Sequence, residues 1–117
     1  MLIGGCLLVG AAVQARGSMD NLGTVALSAL PAEAHNTHRL IHAGGPFPYA
    51  KDGVVFGNRE RQLPRRQRGF YREYTVPTPG SRDRGARRIV CGGPRPSLPE
   101  ACFYTADHYA SFKLIAQ

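Results

Sequence analysis

The sequence predicts an α+β fold in which one N-terminal helix packs on a twisted antiparallel β-sheet. A helical pattern occurs once, early in the chain, and short β-branched or aromatic runs separated by Gly and Pro turns follow it. A helix followed by a series of strands is typical of an α+β domain. The 117 residues suffice for one domain with a single core.

The helix is predicted to begin at Pro31 and to end before Gly44-Gly45. Proline is tolerated in the first turn of a helix, and glycine commonly follows the last turn. Ala34, His38 and Ile41, with either Leu30 or Leu40, recur at helical spacing and would form the stripe that faces the sheet.

Short runs after the helix are predicted as strands: Val54–Phe56, Tyr71–Val76, Arg88–Cys91, Ala101–Tyr104 and Tyr109–Leu114. The last of them alternates polar and apolar residues, which indicates one face on the core and one face toward solvent. The proline-rich segment 93–99 is unsuited to a strand and is predicted to protrude as a loop.

The first nineteen residues are predicted to be a leader and spacer, which leaves residues 20–117 as the folded domain. Met1–Ala15 is apolar and uncharged, and Val13-Gln14-Ala15 fits a small-residue cleavage site. The apolar stretch is shorter than the roughly 20 residues that a membrane-spanning helix needs. We therefore expect a secreted protein with no membrane anchor in its mature form.

The net charge of +7 suits a polyanionic partner, although a merely soluble basic surface would give the same value. Only two of the fifteen basic residues, Lys51 and Lys113, are lysines. Because the planar guanidinium of arginine fits pairs of phosphate oxygens, this bias favours phosphate contact. Five arginines crowd the segment 59–68, which is either a solvated loop or a subsite for flanking phosphates.

Four polar residues in the last half of the chain could together cleave an RNA phosphodiester without a metal: Glu73, Arg84, Arg88 and His108. A carboxylate can take the proton of a 2′-hydroxyl, and an imidazole can protonate the leaving 5′-oxygen. Two guanidiniums can stabilise the charge that develops at phosphorus. A structural ion pair between Glu73 and the arginines is the competing interpretation. No cofactor and no metal site is expected.

Several blocks of sequence resemble the microbial guanyl-specific ribonucleases of the streptomycete and barnase group. They occur in the right order between about Gly23 and Ile115: Pro46–Tyr49, Asp52–Glu60, Leu63-Pro64, Tyr71–Val76, Pro79-Gly80, Arg84–Val90 and Asp107–Ala110. The main departure is an insertion near residues 93–101. The resemblance implies the microbial ribonuclease fold and cleavage of single-stranded RNA after guanosine.

The same resemblance assigns roles to the four polar residues. Glu73 would act as the general base and His108 as the general acid, while Arg84 and Arg88 would stabilise the phosphorane and Tyr109 would bind the phosphate. The product would be a 2′,3′-cyclic phosphate, which is then slowly hydrolysed to a 3′-phosphate.

A guanine site is predicted in the segment that follows the helix. The Glu60 carboxylate can accept hydrogen bonds from guanine N1–H and N2 together, and the backbone N–H groups of Asn58 and Arg59 could bind O6. Phe56 could contact the base, and the resemblance places Tyr49 as a cover or phosphate contact. For Tyr49 and Phe56, ordinary core packing is the alternative.

The mature part of the chain contains two cysteines, Cys91 and Cys102. In an exported protein they could form a disulfide across a hairpin, or Cys91 could be a buried free thiol. The disulfide that joins the two ends of the domain in many relatives is not expected, because Ala26 occupies its N-terminal position.

The expected partner is single-stranded RNA, and the expected state is a monomer. A catalytically silent RNA-binding module is the main rival, but the catalytic residues and Glu60 are all present, which argues against it. The same chemistry could also serve as a toxin that an acidic, barstar-like protein inhibitor controls.

Overall fold

A computed structural model describes residues 22–117, so the predicted leader, residues 1–19, lies outside the described part of the chain. The elements in order are β1 Gly23–Ala26, a 3-10 turn Leu27–Ala29, α1 Ala32–Ala43, β2 Tyr71–Thr75, β3 Arg88–Gly92, β4 Ala101–Thr105 and β5 Lys113–Ala116. Within residues 22–117, no helix is both long and apolar enough to cross a membrane.

The strands form one sheet in the order β1-β5-β4-β3-β2. Strands β2 to β5 are antiparallel neighbours, whereas β1 runs parallel to β5. The prediction of a helix packed on a sheet is confirmed, but the sheet is mixed rather than wholly antiparallel. No local pattern predicts β1, because this four-residue edge strand begins with glycine and is mostly exposed.

The helix ends as predicted, with Gly44 in the left-handed conformation at φ 81°. It buries Ala34, Thr37 and Ile41 against the sheet. The Thr37 hydroxyl donates a hydrogen bond to the main-chain oxygen of Thr75 at 2.9 Å, which fixes the helix against β2. The predicted stripe is therefore correct for Ala34 and Ile41, whereas His38 stays half-buried at its margin.

Two predicted strands differ from the structure. Val54–Phe56 forms only an isolated bridge, between Val55 and Arg72, because the chain turns away from the edge of β2 after Phe56. The predicted strand Tyr109–Leu114 begins only at Lys113 in the structure. His108 and Tyr109 have φ values of 55° and 75°, which make a turn where alternation had predicted a strand.

The core lies on both faces of the sheet. Tyr74, Ile89 and the helix residues pack on one face, and Tyr71, Val90 and Phe103 pack on the other. Cys91 and Cys102 are paired neighbours on β3 and β4 and form a disulfide, which decides between the two readings of these cysteines. The loop between these strands is exposed at residues 94–98, as predicted.

Candidate active site

Glu73 lies in the middle of β2 on the face opposite Tyr74, as strand alternation predicts. Its Oε1 atom accepts hydrogen bonds from Arg84 Nη2 at 2.9 Å and from the Tyr109 hydroxyl at 2.7 Å. Arg88 Nε lies 3.6 Å from the same oxygen. Among residues 22–117, no side chain donates a hydrogen bond to Oε2, so one carboxylate oxygen is left for another ligand.

The two arginines are held by separate contacts. Arg84 Nε donates to the Thr75 hydroxyl at 2.9 Å, two residues along β2 from Glu73. Arg88 is 3% exposed, and its Nη1 donates to the main-chain oxygens of Gly85 at 3.0 Å and Arg87 at 2.8 Å. A buried guanidinium needs such acceptors beside its counter-ion, because an unpaired buried charge is strongly destabilising. The pair therefore presents two fixed positive charges beside Glu73.

Tyr109 connects the carboxylate with the deeper arginine. Its hydroxyl donates to Glu73 and accepts from Arg88 Nε at 3.2 Å. Burial, followed by the hydrogen bond to Glu73, raises the pKa of Tyr109 to about 12. The phenol therefore stays protonated at neutral pH and remains a hydrogen-bond donor.

A tight turn after β4 presents His108. The Asp107 carboxylate accepts hydrogen bonds from the Thr105 hydroxyl at 2.8 Å, from Ser111 N–H at 2.9 Å and from the Ser111 hydroxyl at 2.6 Å. These bonds lower the pKa of Asp107 to about 2, and the bond from the Ser111 hydroxyl contributes most. The main-chain N–H of His108 donates to Ala86 at 2.9 Å, and its side chain is exposed. Asp107 thus organises the turn, and the imidazole is left accessible.

Glu73 and His108 line one cavity of about 650 Å³ together with residues 56–60, here called the base-reading segment. The other predicted site residues in its wall are Phe56, Asn58, Arg59, Glu60 and Tyr109. The candidate base Glu73, the candidate acid His108 and the candidate guanine reader Glu60 therefore line the same cavity. The size is within the range of small-molecule sites in proteins, roughly 300–1,000 Å³.

The side chain of Asn58 closes the loop that contains the base-reading segment. Asn58, at φ 54°, donates from its amide to the Leu63 main-chain oxygen at 3.0 Å and accepts from Leu63 N–H at 3.1 Å. Asparagine is among the few residues that adopt this left-handed conformation readily. Glu60 is exposed in the loop that these bonds close, so its carboxylate is accessible to a ligand.

The two aromatic candidates differ in position. The Phe56 ring lies 5.1 Å from the Tyr109 ring and 5.9 Å from the Phe112 ring, so it both packs on the core and lines the cavity. Tyr49 is not part of the cavity wall. Its main-chain N–H is bound to Asp52 Oδ2 at 3.2 Å, in a turn beside β2.

Sequence reasoning missed three residues at the site: Thr75, Phe112 and Gln62. Alternation along β2 places Thr75 on the same face as Glu73, but it does not indicate that Thr75 binds Arg84. The Gln62 amide donates to the main-chain oxygens of Tyr109 at 3.1 Å and Ala110 at 2.7 Å. These partners are 47 and 48 residues away in the sequence, and no local pattern signals such a contact.

The ribonuclease family model matches residues 13–116. Guanyl-specific ribonuclease Sa of Kitasatospora aureofaciens is 56% identical over 98 residues, which are 84% of this chain and 98% of that protein. Guanyl-specific ribonuclease St of Saccharopolyspora erythraea is 50% identical over 84% of this chain and 92% of its own. A structure of ribonuclease Sa2 with guanosine-2′-cyclophosphate has a TM-score of 0.73 at 46% identity, covering 81% of this chain and 96% of the other.

Proposed function

Since the chain belongs to the ribonuclease family, we propose that it is a guanyl-specific endoribonuclease that cuts single-stranded RNA on the 3′ side of guanosine. The observation that carries the proposal is the cavity that Glu73 and His108 share with Glu60. The names of the relatives, guanyl-specific ribonucleases Sa and St, support the same substrate class.

In the first step, Glu73 takes the proton of the guanosine 2′-hydroxyl. Its Oε1 atom is saturated by Arg84 and Tyr109, so Oε2 is the oxygen that receives the proton. The 2′-oxygen attacks phosphorus in line with the bond to the 5′-oxygen.

In the same step, the phosphorus–oxygen bond to the next nucleotide breaks, and protonated His108 gives its proton to the departing 5′-oxygen. The product is a 2′,3′-cyclic phosphate, so this first reaction is a lyase-type transphosphorylation. Slow hydrolysis follows with the roles exchanged. His108 takes a proton from water as the water oxygen attacks phosphorus, the bond from phosphorus to the 2′-oxygen breaks, and Glu73 gives its proton to that oxygen. A 3′-phosphate results.

Arg84 and Arg88 stabilise the additional negative charge on the phosphorane oxygens. Their guanidiniums are already fixed by Thr75, Gly85 and Arg87, so little reorganisation is needed when the charge develops. Tyr109, held as a neutral donor, can transfer its hydrogen bond from Glu73 to a phosphate oxygen.

Guanine selection is assigned to the exposed loop 57–60. The Glu60 carboxylate accepts from N1–H and N2, a donor pair that the other bases lack, and the Asn58 and Arg59 N–H groups bind O6. Phe56 supplies the apolar surface for the base, and Tyr49 is retained only as an outlying phosphate contact, since it lies away from the cavity wall. Such edge contacts are the usual way of reading single-stranded RNA.

The test is digestion of a short RNA by the purified protein in EDTA, with the product ends mapped by mass. Cleavage should persist and should leave 2′,3′-cyclic or 3′-phosphate ends after G, because the chain itself supplies the acid, the base and the positive charges. Activity that disappears in chelator and returns with Mg²⁺ would disprove the mechanism.

We further propose that residues 1–19 are removed on export and that residues 20–117 act outside the cell as a monomer, with an acidic, barstar-like inhibitor as an additional partner. The exposed arginines beside the cavity suit such an acidic surface. The mass of the protein in the culture medium tests whether residues 1–19 are removed. Co-purification with the product of an adjacent acidic reading frame tests the proposed inhibitor.

A further inference from the structure

A second cavity, of about 560 Å³, shares one wall with the candidate active site. The segment Val55–Arg59 lines both cavities. Beyond it, the first cavity is completed by Glu73 and the His108 turn, whereas the second is completed by Arg66–Gly69 and Tyr71. The second cavity, here called the arginine groove, therefore adjoins the base-reading segment, and neither Glu73 nor His108 lines it.

Positive charge is concentrated around the arginine groove. The ten residues 59–68 contain five arginines and one carboxylate, Glu60, and thus carry four of the seven excess positive charges of the chain. Three of these arginines line the groove: Arg59, Arg66 and Arg68. A charge excess confined to one short segment produces a local field, which an evenly spread charge would not.

Internal partners leave most of this charge available. Arg66 lies 3.4 Å from Glu100 and stacks over the Phe70 ring at 4.3 Å. That ion pair is exposed, with half of each side chain accessible, so it contributes little and is readily exchanged for another anion. Within residues 22–117, neither Arg59 nor Arg68 forms an ion pair.

We propose that the arginine groove is a second RNA-binding subsite, which holds backbone phosphates of the nucleotides that flank the selected guanosine. This inference rests on the proposed function. A strand whose guanine sits against Gly57–Glu60 meets the groove directly, because the two sites share that wall. Guanidiniums bind phosphate without regard to base, so the subsite strengthens binding of longer RNA but not the choice of guanine.

The experiment compares two double variants that lose the same charge. Arg66→Gln with Arg68→Gln alters the groove, and Arg39→Gln with Arg95→Gln alters exposed arginines in α1 and in the loop 93–99. Substrates are the dinucleotide GpC, the same dinucleotide with three added nucleotides on the 5′ side, and its counterpart extended on the 3′ side, none with another G. The measured quantity is kcat/KM at several salt concentrations.

The groove variant should cut GpC as the control variant does, but it should lose most of the gain in kcat/KM that extension gives. Its salt dependence on the extended substrate should weaken by about 0.7 in the logarithmic slope for each arginine removed. The extension whose gain is lost identifies the side of the strand that occupies the groove. An equal extension gain in both variants overturns the subsite, whereas a parent protein that fails to cut GpC and all extended RNAs overturns the proposed function itself.

A separate observation concerns Gln62, whose amide donates to the oxygens of Tyr109 and Ala110 at 3.1 and 2.7 Å. It is the side chain of the base-reading loop that bonds the turn carrying His108. That turn has left-handed backbone at both His108 and Tyr109, a strained conformation that persists only where the surrounding structure holds it. We infer that Gln62 is a positioning residue that holds the turn carrying His108 against the base-reading loop.

Gln62→Met keeps the length of the side chain but removes both donors, and Gln62→Lys restores a donor. The Met variant should lower kcat on GpC about tenfold, the scale of two lost hydrogen bonds, with an unchanged inhibition constant for guanosine. The Lys variant should recover most of the loss. Wild-type kcat in the Met variant, or an equal loss in both variants, overturns the assignment.

Discussion

The two halves of the cavity are built differently. In the catalytic half, Glu73 sits in a strand that is bonded on both sides: to Val90 of β3, and to Gly53 and Val54 through the main chain. In the base-reading half, the chain leaves the sheet after Phe56, and the exposed loop around Glu60 is closed mainly by the side chain of Asn58.

This contrast separates two kinds of function. Charge stabilisation and proton transfer need groups held at fixed positions, which paired strands and buried ion pairs provide. Base recognition needs accessible donors and acceptors, which an exposed loop provides. Changes in the catalytic half should therefore reduce turnover on every substrate, and changes in the loop should reduce mainly the preference for guanine.

The largest effect is expected from His108, the proposed proton donor. His108→Ala should lower kcat by about 10²- to 10⁴-fold on every cleavable RNA, because no other histidine among residues 22–117 lines the cavity. The alkaline limb of the pH–rate profile should disappear with it. His42→Ala, on the exposed face of the helix, is the matched control and should keep the parent's rate and profile. An unchanged profile in His108→Ala would show that another group delivers the proton.

The next largest effect is expected from the loss of Glu60, the proposed guanine reader. Glu60→Gln keeps the shape of the side chain but turns an acceptor into a donor that faces the N–H groups of guanine. Discrimination for G should fall by about 2–4 kcal/mol, measured as the ratio of kcat/KM for GpC to that for ApC. The thermal midpoint should stay the same, because Glu60 is exposed. Full retention of the preference would mean that a different residue reads the base.

A smaller effect is expected from the closure of the loop. Asn58→Gly accepts the positive φ but removes both bonds to Leu63, which together are worth about 1–3 kcal/mol. KM for GpC should rise, with kcat changed much less. Asn58→Asp keeps the bond to Leu63 N–H and loses the other. Its KM for GpC should lie between the values of Asn58→Gly and the parent. Equal KM values in all three proteins would refute the role of this side chain.

The smallest effect concerns acid stability. Because the pKa of Asp107 is lowered to about 2 in the folded protein, its ionised form stabilises the fold above the unfolded value near 3.8. That contribution is lost as pH falls from about 4 toward 2. Asp107→Asn should flatten the decline of the thermal midpoint in this interval. Glu100→Gln, which removes an exposed carboxylate from the loop before β4, is the control and should leave the decline as in the parent. Parallel curves for Asp107→Asn and the parent would contradict the assignment.

The sequence by itself determined the helix, three of the strands and the candidate chemistry, because these depend on local patterns. The stripe of Ala34 and Ile41 follows from helical spacing, and the face of Glu73 follows from strand alternation. The blocks of resemblance added the roles of Glu60 and His108, which spacing alone would have left as an ordinary carboxylate and an ordinary histidine.

Only the tertiary structure decided the rest, because it depends on contacts between distant segments. The parallel pairing of β1 with β5 joins the two ends of the domain, and no local signal encodes it. A turn at His108 stands in place of a predicted strand, and side chains satisfy its backbone: the Thr105 hydroxyl accepts from Tyr109 N–H, and the Asp107 carboxylate accepts from Ser111 N–H. The cysteine pairing was settled by the register of β3 against β4, and the contact of Gln62 with the catalytic turn exists only because the fold brings two loops together.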